Sequence, residues 1–126
     1  LKRTVVKLLS KAKIDSILRD YSYNQITSEQ IYKAAMNGDQ LAIEAFDFTG
    51  KILGMKLADA ITILSPEAIF LAGGMSNAGK LIFEPTKKYM EEFNFPIYRD
   101  KVKLLSSSLP ENDAAILGAA ALVWNQ

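Results

Sequence analysis

The residues best placed to do chemistry in this chain lie in Gly74-Met75-Ser76-Asn77-Ala78-Gly79-Lys80, where glycines bracket a hydroxyl and an amide and a lysine follows. Glycine lets backbone N–H groups meet a ligand with no side chain between them, and a lysine can reach an anionic oxygen. The spacing matches the opening of a phosphate-binding loop, G-x-x-x-x-G-K. Leu81 then stands where that loop needs Ser or Thr to ligate Mg²⁺, and Ser76 cannot take over without a different loop shape. A dinucleotide fingerprint also fails, because Gly73, Gly74 and Gly79 do not make G-x-G-x-x-G and no acidic residue closes a downstream strand. A turn that only joins strand to helix fits the same residues, and the local pattern does not choose between it and a ligand-binding turn.

The rest of the chain offers little competing chemistry. It contains no histidine and no cysteine. That removes disulfides, thiolate nucleophiles, most zinc sites and the usual general base near neutral pH. Glu84, Glu91 and Glu92 read as a solvated helix face, with nothing to pair them into an acid–base site. Asp113 precedes an alanine-rich run and reads as a helix N-cap. Tyr89 and Trp124 share helical spacing with apolar neighbours and read as packing residues. Lys80 reads as solvated, and Asn77 is as well placed to bond its own backbone as to touch a ligand. No catalytic residue and no metal ligand is assigned within the chain.

The glycine segment must be positioned by a strand before it and a helix after it. Ala68-Ile69-Phe70-Leu71-Ala72 is a continuous apolar run, the pattern of a strand covered on both faces. A helix starting between Lys80 and Phe83 follows, carrying Ile82, Tyr89, Met90 and Phe93, with Pro85 tolerable only near its first turn. Asn94-Phe95-Pro96 ends it, and Val102–Ser106 reads as a second strand, so strand, helix and strand make one right-handed parallel crossover. A polar loop then leads to a final helix from Ala114 to Trp124, whose Gly118-Ala119-Ala120-Ala121 face permits close approach.

Upstream the chain reads as helices. Leu1, Val5, Leu8, Leu9 and Ala12 share one face of the first, and Asp15 reads as the cap of a short second helix holding Ile17 and Leu18. Thr27 and Gln30 have capping-box spacing, with Ile26 and Ile31 placed as a hydrophobic staple over the cap. Asn37-Gly38 supplies a left-handed stop, and Asp39 caps a long helix that carries Leu41, Ala45, Phe46, Leu53, Leu57, Ile61 and Leu64 and ends at Ser65-Pro66. Gly50 and Gly54 inside that helix each cost about 1 kcal/mol relative to alanine, so tight packing is expected over them.

At 126 residues with 49% apolar content, the chain can bury one ordinary core. Fifteen basic against fourteen acidic residues leave no whole-chain field to attract nucleic acid or an anionic membrane. The first residues hold no initiator Met and no apolar run long enough for a signal peptide or membrane span. A cytoplasmic piece of a longer chain is therefore expected. Two strands also make a poor sheet alone, so neighbours are expected from other sequence.

Taken in order, Ile31-Tyr32-Lys33-Ala34-Ala35-Met36-Asn37-Gly38-Asp39, Gly50–Ile61, Ser65-Pro66-Glu67-Ala68-Ile69, the glycine turn Leu71–Gly79 and Asn112–Ala121 resemble the C-terminal half of ROK-family sugar kinases. The resemblance covers about residues 26 to 124. It implies an α/β fold, part of an actin-like ATPase (RNase H-like) domain in which helices precede a β-α-β-α unit. It makes residues 1–126 the C-terminal part of the nucleotide-side domain, with the N-terminal lobe, its phosphate loop, its general base and its zinc module absent.

Under that resemblance Gly73 and Gly74 offer backbone to the ribose-phosphate part of ATP or ADP, and Met75, Ser76 and Asn77 form the adjoining wall. Mg²⁺ and a hexose would be held in the intact protein, a glucokinase-like enzyme and a homo-oligomer, and no zinc site would lie in this chain. Two alternatives remain: a sugar-responsive repressor of the same family, which alone would bring nucleic acid as a partner, or a non-enzymatic interaction module. The chain alone is expected to be inactive, to bind nucleotide weakly or not detectably, and to self-associate through uncovered strand and helix faces.

Overall fold

The computed structural model describes residues 1–11, 13–74 and 76–107. Ala12, Met75, the Asp113 cap and the helix expected over Ala114–Trp124 lie outside the described residues. The order is α1 (Lys2–Lys11), a 3₁₀ turn (Ile17–Asp20), α2 (Ser28–Met36), α3 (Gln40–Leu64), β1 (Ala68–Leu71), a 3₁₀ turn (Ser76–Ala78), α4 (Lys80–Phe93), a 3₁₀ turn (Pro96–Tyr98) and β2 (Lys103–Ser106).

Local signals set most of these limits. Both arms of the capping box form: Gln30 Oε1 accepts from the Thr27 N–H at 2.8 Å, and Thr27 Oγ1 accepts from the Gln30 N–H at 3.2 Å. Ile26 and Ile31 are both buried in the same apolar cluster, as a staple requires. Gly38 takes φ +85 to end α2, and Asp39 Oδ1 caps α3 by accepting from the Ala42 N–H at 3.0 Å. Ser65 closes α3 in the left-handed region, with φ 46.

Two expectations need correction. Asp15 does not cap the short second helix. Ser16 does, its hydroxyl accepting from the Leu18 N–H at 3.1 Å while donating to Asp39 Oδ2 at 2.8 Å, which ties this turn to the start of α3. Pro85 falls in the second turn of α4, where its missing N–H removes the bond to the Leu81 carbonyl. It is tolerated there because its ring packs directly over Gly50 of α3.

That contact belongs to the tightest interface of the molecule. A Cβ built on Gly50 would lie 2.7 Å from Pro85 Cβ, and one on Gly54 would lie 2.6 Å from both the Met90 nitrogen and the Thr86 carbonyl oxygen. Thr86, fully buried between Ile82 and Met90, faces this seam with its hydroxyl unpartnered. On the outer edge of the seam, Tyr89 Oη donates to Asp47 Oδ2 at 2.9 Å. Of the apolar stripe expected on α3, Leu41, Ala45, Phe46 and Ile61 are buried, whereas Leu64 in the last turn is exposed.

β1 and β2 pair in parallel, with Ile69 opposite Leu104 and Phe70 opposite Leu105. Ile69 and Leu104 pack with Ile61, Met90 and Val102 beneath the sheet. The strand is not covered on both faces among the described residues, for Phe70 is 64% and Leu105 is 38% exposed on the other side. The larger apolar cluster lies under α1, α2 and the first half of α3, around Val5, Leu18, Ile31, Leu41 and Phe46. No helix of the described residues is long and apolar enough to cross a membrane.

Candidate functional site

The chain leaves β1 at Leu71 and turns at Gly73, whose φ of +90 an L side chain rarely adopts. The turn closes on one acceptor. The Gly73 carbonyl receives the Ser76 N–H at 2.9 Å and the Ser76 hydroxyl at 2.6 Å. This commits the Ser76 proton and leaves only its oxygen lone pairs for a ligand. Gly79 then takes φ +54, and α4 begins with no side chain capping its first turn. The leading N–H groups of α4 thus carry the positive end of the helix dipole without a side-chain acceptor.

Across from the turn lies the start of α2, held at a fixed angle by its capping box and staple. Ser28, Glu29 and Tyr32 form this second wall; Gly74, Asn77 and Ala78 form the first, with Phe46 and Leu1 closing the space between. The cleft encloses about 530 Å³. Small-molecule sites run from about 300 to 1,000 Å³, mostly apolar with a few placed polar groups, and this cleft fits that description. Its rim carries an exposed ion pair, with Glu29 Oε1 2.6 Å from Lys33 Nζ. The hydrogen bond from Lys33, and secondly its charge, hold the Glu29 carboxyl below its ordinary value.

A second depression of about 440 Å³ runs between α3 and α4, lined by Asp47, Lys80, Glu84 and Lys88 among others. It shares Phe46 with the cleft but takes in none of the described turn residues, Gly73, Gly74 and Ser76–Ala78. Lys80 lines this depression rather than the cleft and is exposed, in keeping with its reading as a solvated residue. Among the described residues no group of three or more acidic, histidine or cysteine side chains could hold a metal ion.

Of the residues expected at a site, Gly74 and Asn77 line the cleft, Gly73 and Ser76 build the turn behind them, and Met75 lies outside the described residues. Ser28, Glu29, Tyr32 and Phe46 were not expected there. The sequence marks where α2 begins, but no local pattern says that its first two turns will face Gly74, Asn77 and Ala78, about forty or more positions later.

Comparison with known proteins gives this geometry its context. A model of the ROK family matches residues 5–126. Glucokinase of Halalkalibacterium halodurans is 28% identical over 125 residues, 98% of this chain and 38% of that protein. The DNA-binding transcriptional dual regulator NagC of Escherichia coli K12 is 32% identical over 97 residues, 77% of this chain and 23% of the regulator. Among solved structures, a protein of Cytophaga hutchinsonii inferred to be a sugar kinase superposes with a TM-score of 0.81 at 30% identity, covering 97% of this chain and 40% of that one. A ROK family glucokinase from Streptomyces griseus, in complex with glucose and AMPPNP, gives 0.75 at 27% identity, covering 96% and 39%. The chain thus spans less than half the length of each of these relatives. Helices leading into a parallel β-α-β unit, superposable on ROK sugar kinases along nearly the whole chain, carry the actin-like ATPase fold, and the chain belongs to the ROK family.

Proposed function

We propose that residues 1–126 form the C-terminal, nucleotide-side part of an ATP-dependent hexose kinase of the glucokinase type. The observation that carries this reading is the single cleft in which the glycine turn faces the first turns of α2. Gly73 and Gly74 give backbone to the ribose-phosphate part of the nucleotide, and Met75, Ser76 and Asn77 form the adjoining wall. The uncapped start of α4 suits phosphate oxygens, because free N–H groups and the helix dipole both favour an anion. The Streptomyces griseus relative, whose structure holds glucose and AMPPNP, supports the assignment of both substrates.

Phosphoryl transfer needs a metal, a base and a phosphate clamp held together. The described residues offer no group of three or more acidic, histidine or cysteine side chains that could hold a metal ion. Those parts, and the groups that would bind the hexose, belong to sequence outside this chain in the proposed enzyme. Without them these residues alone are inactive. The enzyme works in the cytoplasm and as a homo-oligomer on this reading.

One observation favours a second reading. The regulator NagC matches 77% of this chain at 32% identity, where the Halalkalibacterium halodurans glucokinase matches 98% at 28%. As part of a sugar-responsive repressor, the same fold would follow a DNA-binding helix-turn-helix. Upstream sequence separates the two, since a phosphate loop with an aspartate base marks a kinase and a helix-turn-helix marks a repressor.

The direct test is titration of the full gene product with ADP and Mg²⁺, repeated for Gly74→Val. Binding that weakens at least tenfold with the fold intact supports the placement; unchanged binding contradicts it.

A further inference from the structure

We infer that Tyr32 is the base-binding residue of the cleft, the platform on which a purine bearing an exocyclic amine stacks; the inference rests on the nucleotide reading above. Two aromatic side chains line the cleft among the described residues, Tyr32 and Phe46. Phe46 is 1% exposed, its ring packed into the core, so it serves as floor and has no face to give. Tyr32 is half-buried, packed against the core cluster and bordering the cleft. A ring held in this way loses little freedom when a base stacks on it.

The hydroxyls point the same way. Tyr89 gives its hydroxyl to Asp47 and Tyr98 shares a hydrogen bond with Ser65, whereas the hydroxyls of Tyr21, Tyr23 and Tyr32 make no hydrogen bond to a described residue, and of these three Tyr32 is the one that lines the cleft. Ser28 and Glu29 lie four and three positions before Tyr32, one turn away on the same helix face, and all three border the cleft. The ion pair with Lys33 keeps Glu29 an ionised acceptor. A base lying on Tyr32 therefore meets a carboxylate and a hydroxyl at its edge. Adenine, with a 6-amino donor, suits that edge, and hypoxanthine, with a 6-oxo acceptor, does not.

Calorimetric titration of the full gene product with ADP, IDP and inorganic pyrophosphate tests this, for wild type, Tyr32→Leu and Tyr32→Phe. Leucine keeps the apolar contact with the core and removes the ring face. Tyr32→Leu is expected to weaken ADP about 10- to 100-fold while pyrophosphate binding is unchanged, and Tyr32→Phe to stay within about threefold of wild type. Wild type is expected to prefer ADP over IDP by about 3- to 10-fold. ADP affinity that survives Tyr32→Leu but falls with Gly74→Val overturns the role of Tyr32 and leaves the nucleotide site standing. Equal loss of ADP and pyrophosphate makes Tyr32 a structural residue and also overturns it. Equal affinity for ADP and IDP overturns the assignment of the base. A wild type that binds no ADP ends the nucleotide reading and this inference together.

Discussion

Glycine serves opposite purposes in two regions of this molecule. At the α3–α4 seam, Gly50 and Gly54 have ordinary helical backbone and no room: any Cβ would meet Pro85, Thr86 or Met90 at 3.0 Å or less. At the turn after β1, Gly73 and Gly79 have open space around them and a backbone that L side chains avoid, φ +90 and +54. The first pair is there because of neighbours already present. In the second no described residue occupies the space that glycine leaves, and the proposed nucleotide would.

The two regions should therefore fail in different ways when altered. The largest effect is expected for Gly54→Ala, where the new methyl is trapped between two backbone groups of α4 that cannot swing aside. About 3 kcal/mol of stability should be lost in equilibrium urea unfolding, despite the better helix propensity of alanine. Gly50→Ala meets a proline ring as well as the Thr86 nitrogen, and a loss of about 2 kcal/mol is expected in the same assay. A gain in stability from either change would mean that the helices do not approach as closely as described here.

Asp39→Ala comes next. It removes the α3 cap and the two bonds from Ser16 Oγ and the Ile17 N–H, and about 1–2 kcal/mol should be lost. Gly73→Ala imposes a strained φ without any clash, so about 1 kcal/mol is expected, with no change in core protection by hydrogen exchange. A loss as large as that of Gly54→Ala would show that the turn is packed rather than open.

The smallest effect concerns the rim of the seam. The hydrogen bond to Asp47, and then burial, push the Tyr89 phenol above its ordinary value. A group raised in this way contributes below its unfolded pKa, and its contribution is lost as pH rises through the folded one. Ultraviolet titration should show Tyr89 ionising above the ordinary tyrosine value, and Asp47→Ala should bring it back down. If Asp47→Ala leaves all the tyrosines where they were, the Tyr89–Asp47 bond is absent in solution.

Much of the fold was legible in sequence because its signals are local. Thr27 with Gln30, Gly38 before Asp39 and the apolar run at 68–72 each act within a few residues, and each element stands where its signal put it, β1 ending one residue short of the run at Leu71. The Asp15 reading failed for the same reason in reverse. Asp15 and Ser16 are both good caps, and Ser16 wins through a bond to Asp39, twenty-three positions away. Pro85 was misplaced because its tolerance depends on the absent side chain of Gly50 on another helix.

The site was half legible. The glycine turn announces itself by pattern, and the identity of its ligand does not. The facing wall of Ser28, Glu29 and Tyr32 arises only from how α2 and α3 pack beneath the turn, which no short window of residues encodes.

Hydrogen exchange of the full gene product with and without ADP tests the central claim most directly, since it asks where the nucleotide sits. The account predicts new protection in two separated stretches, Ser28–Tyr32 and Gly73–Ala78, with the amides around Gly50, Gly54 and Thr86 unchanged. Protection by ADP at neither stretch, while the nucleotide is demonstrably bound, would contradict it.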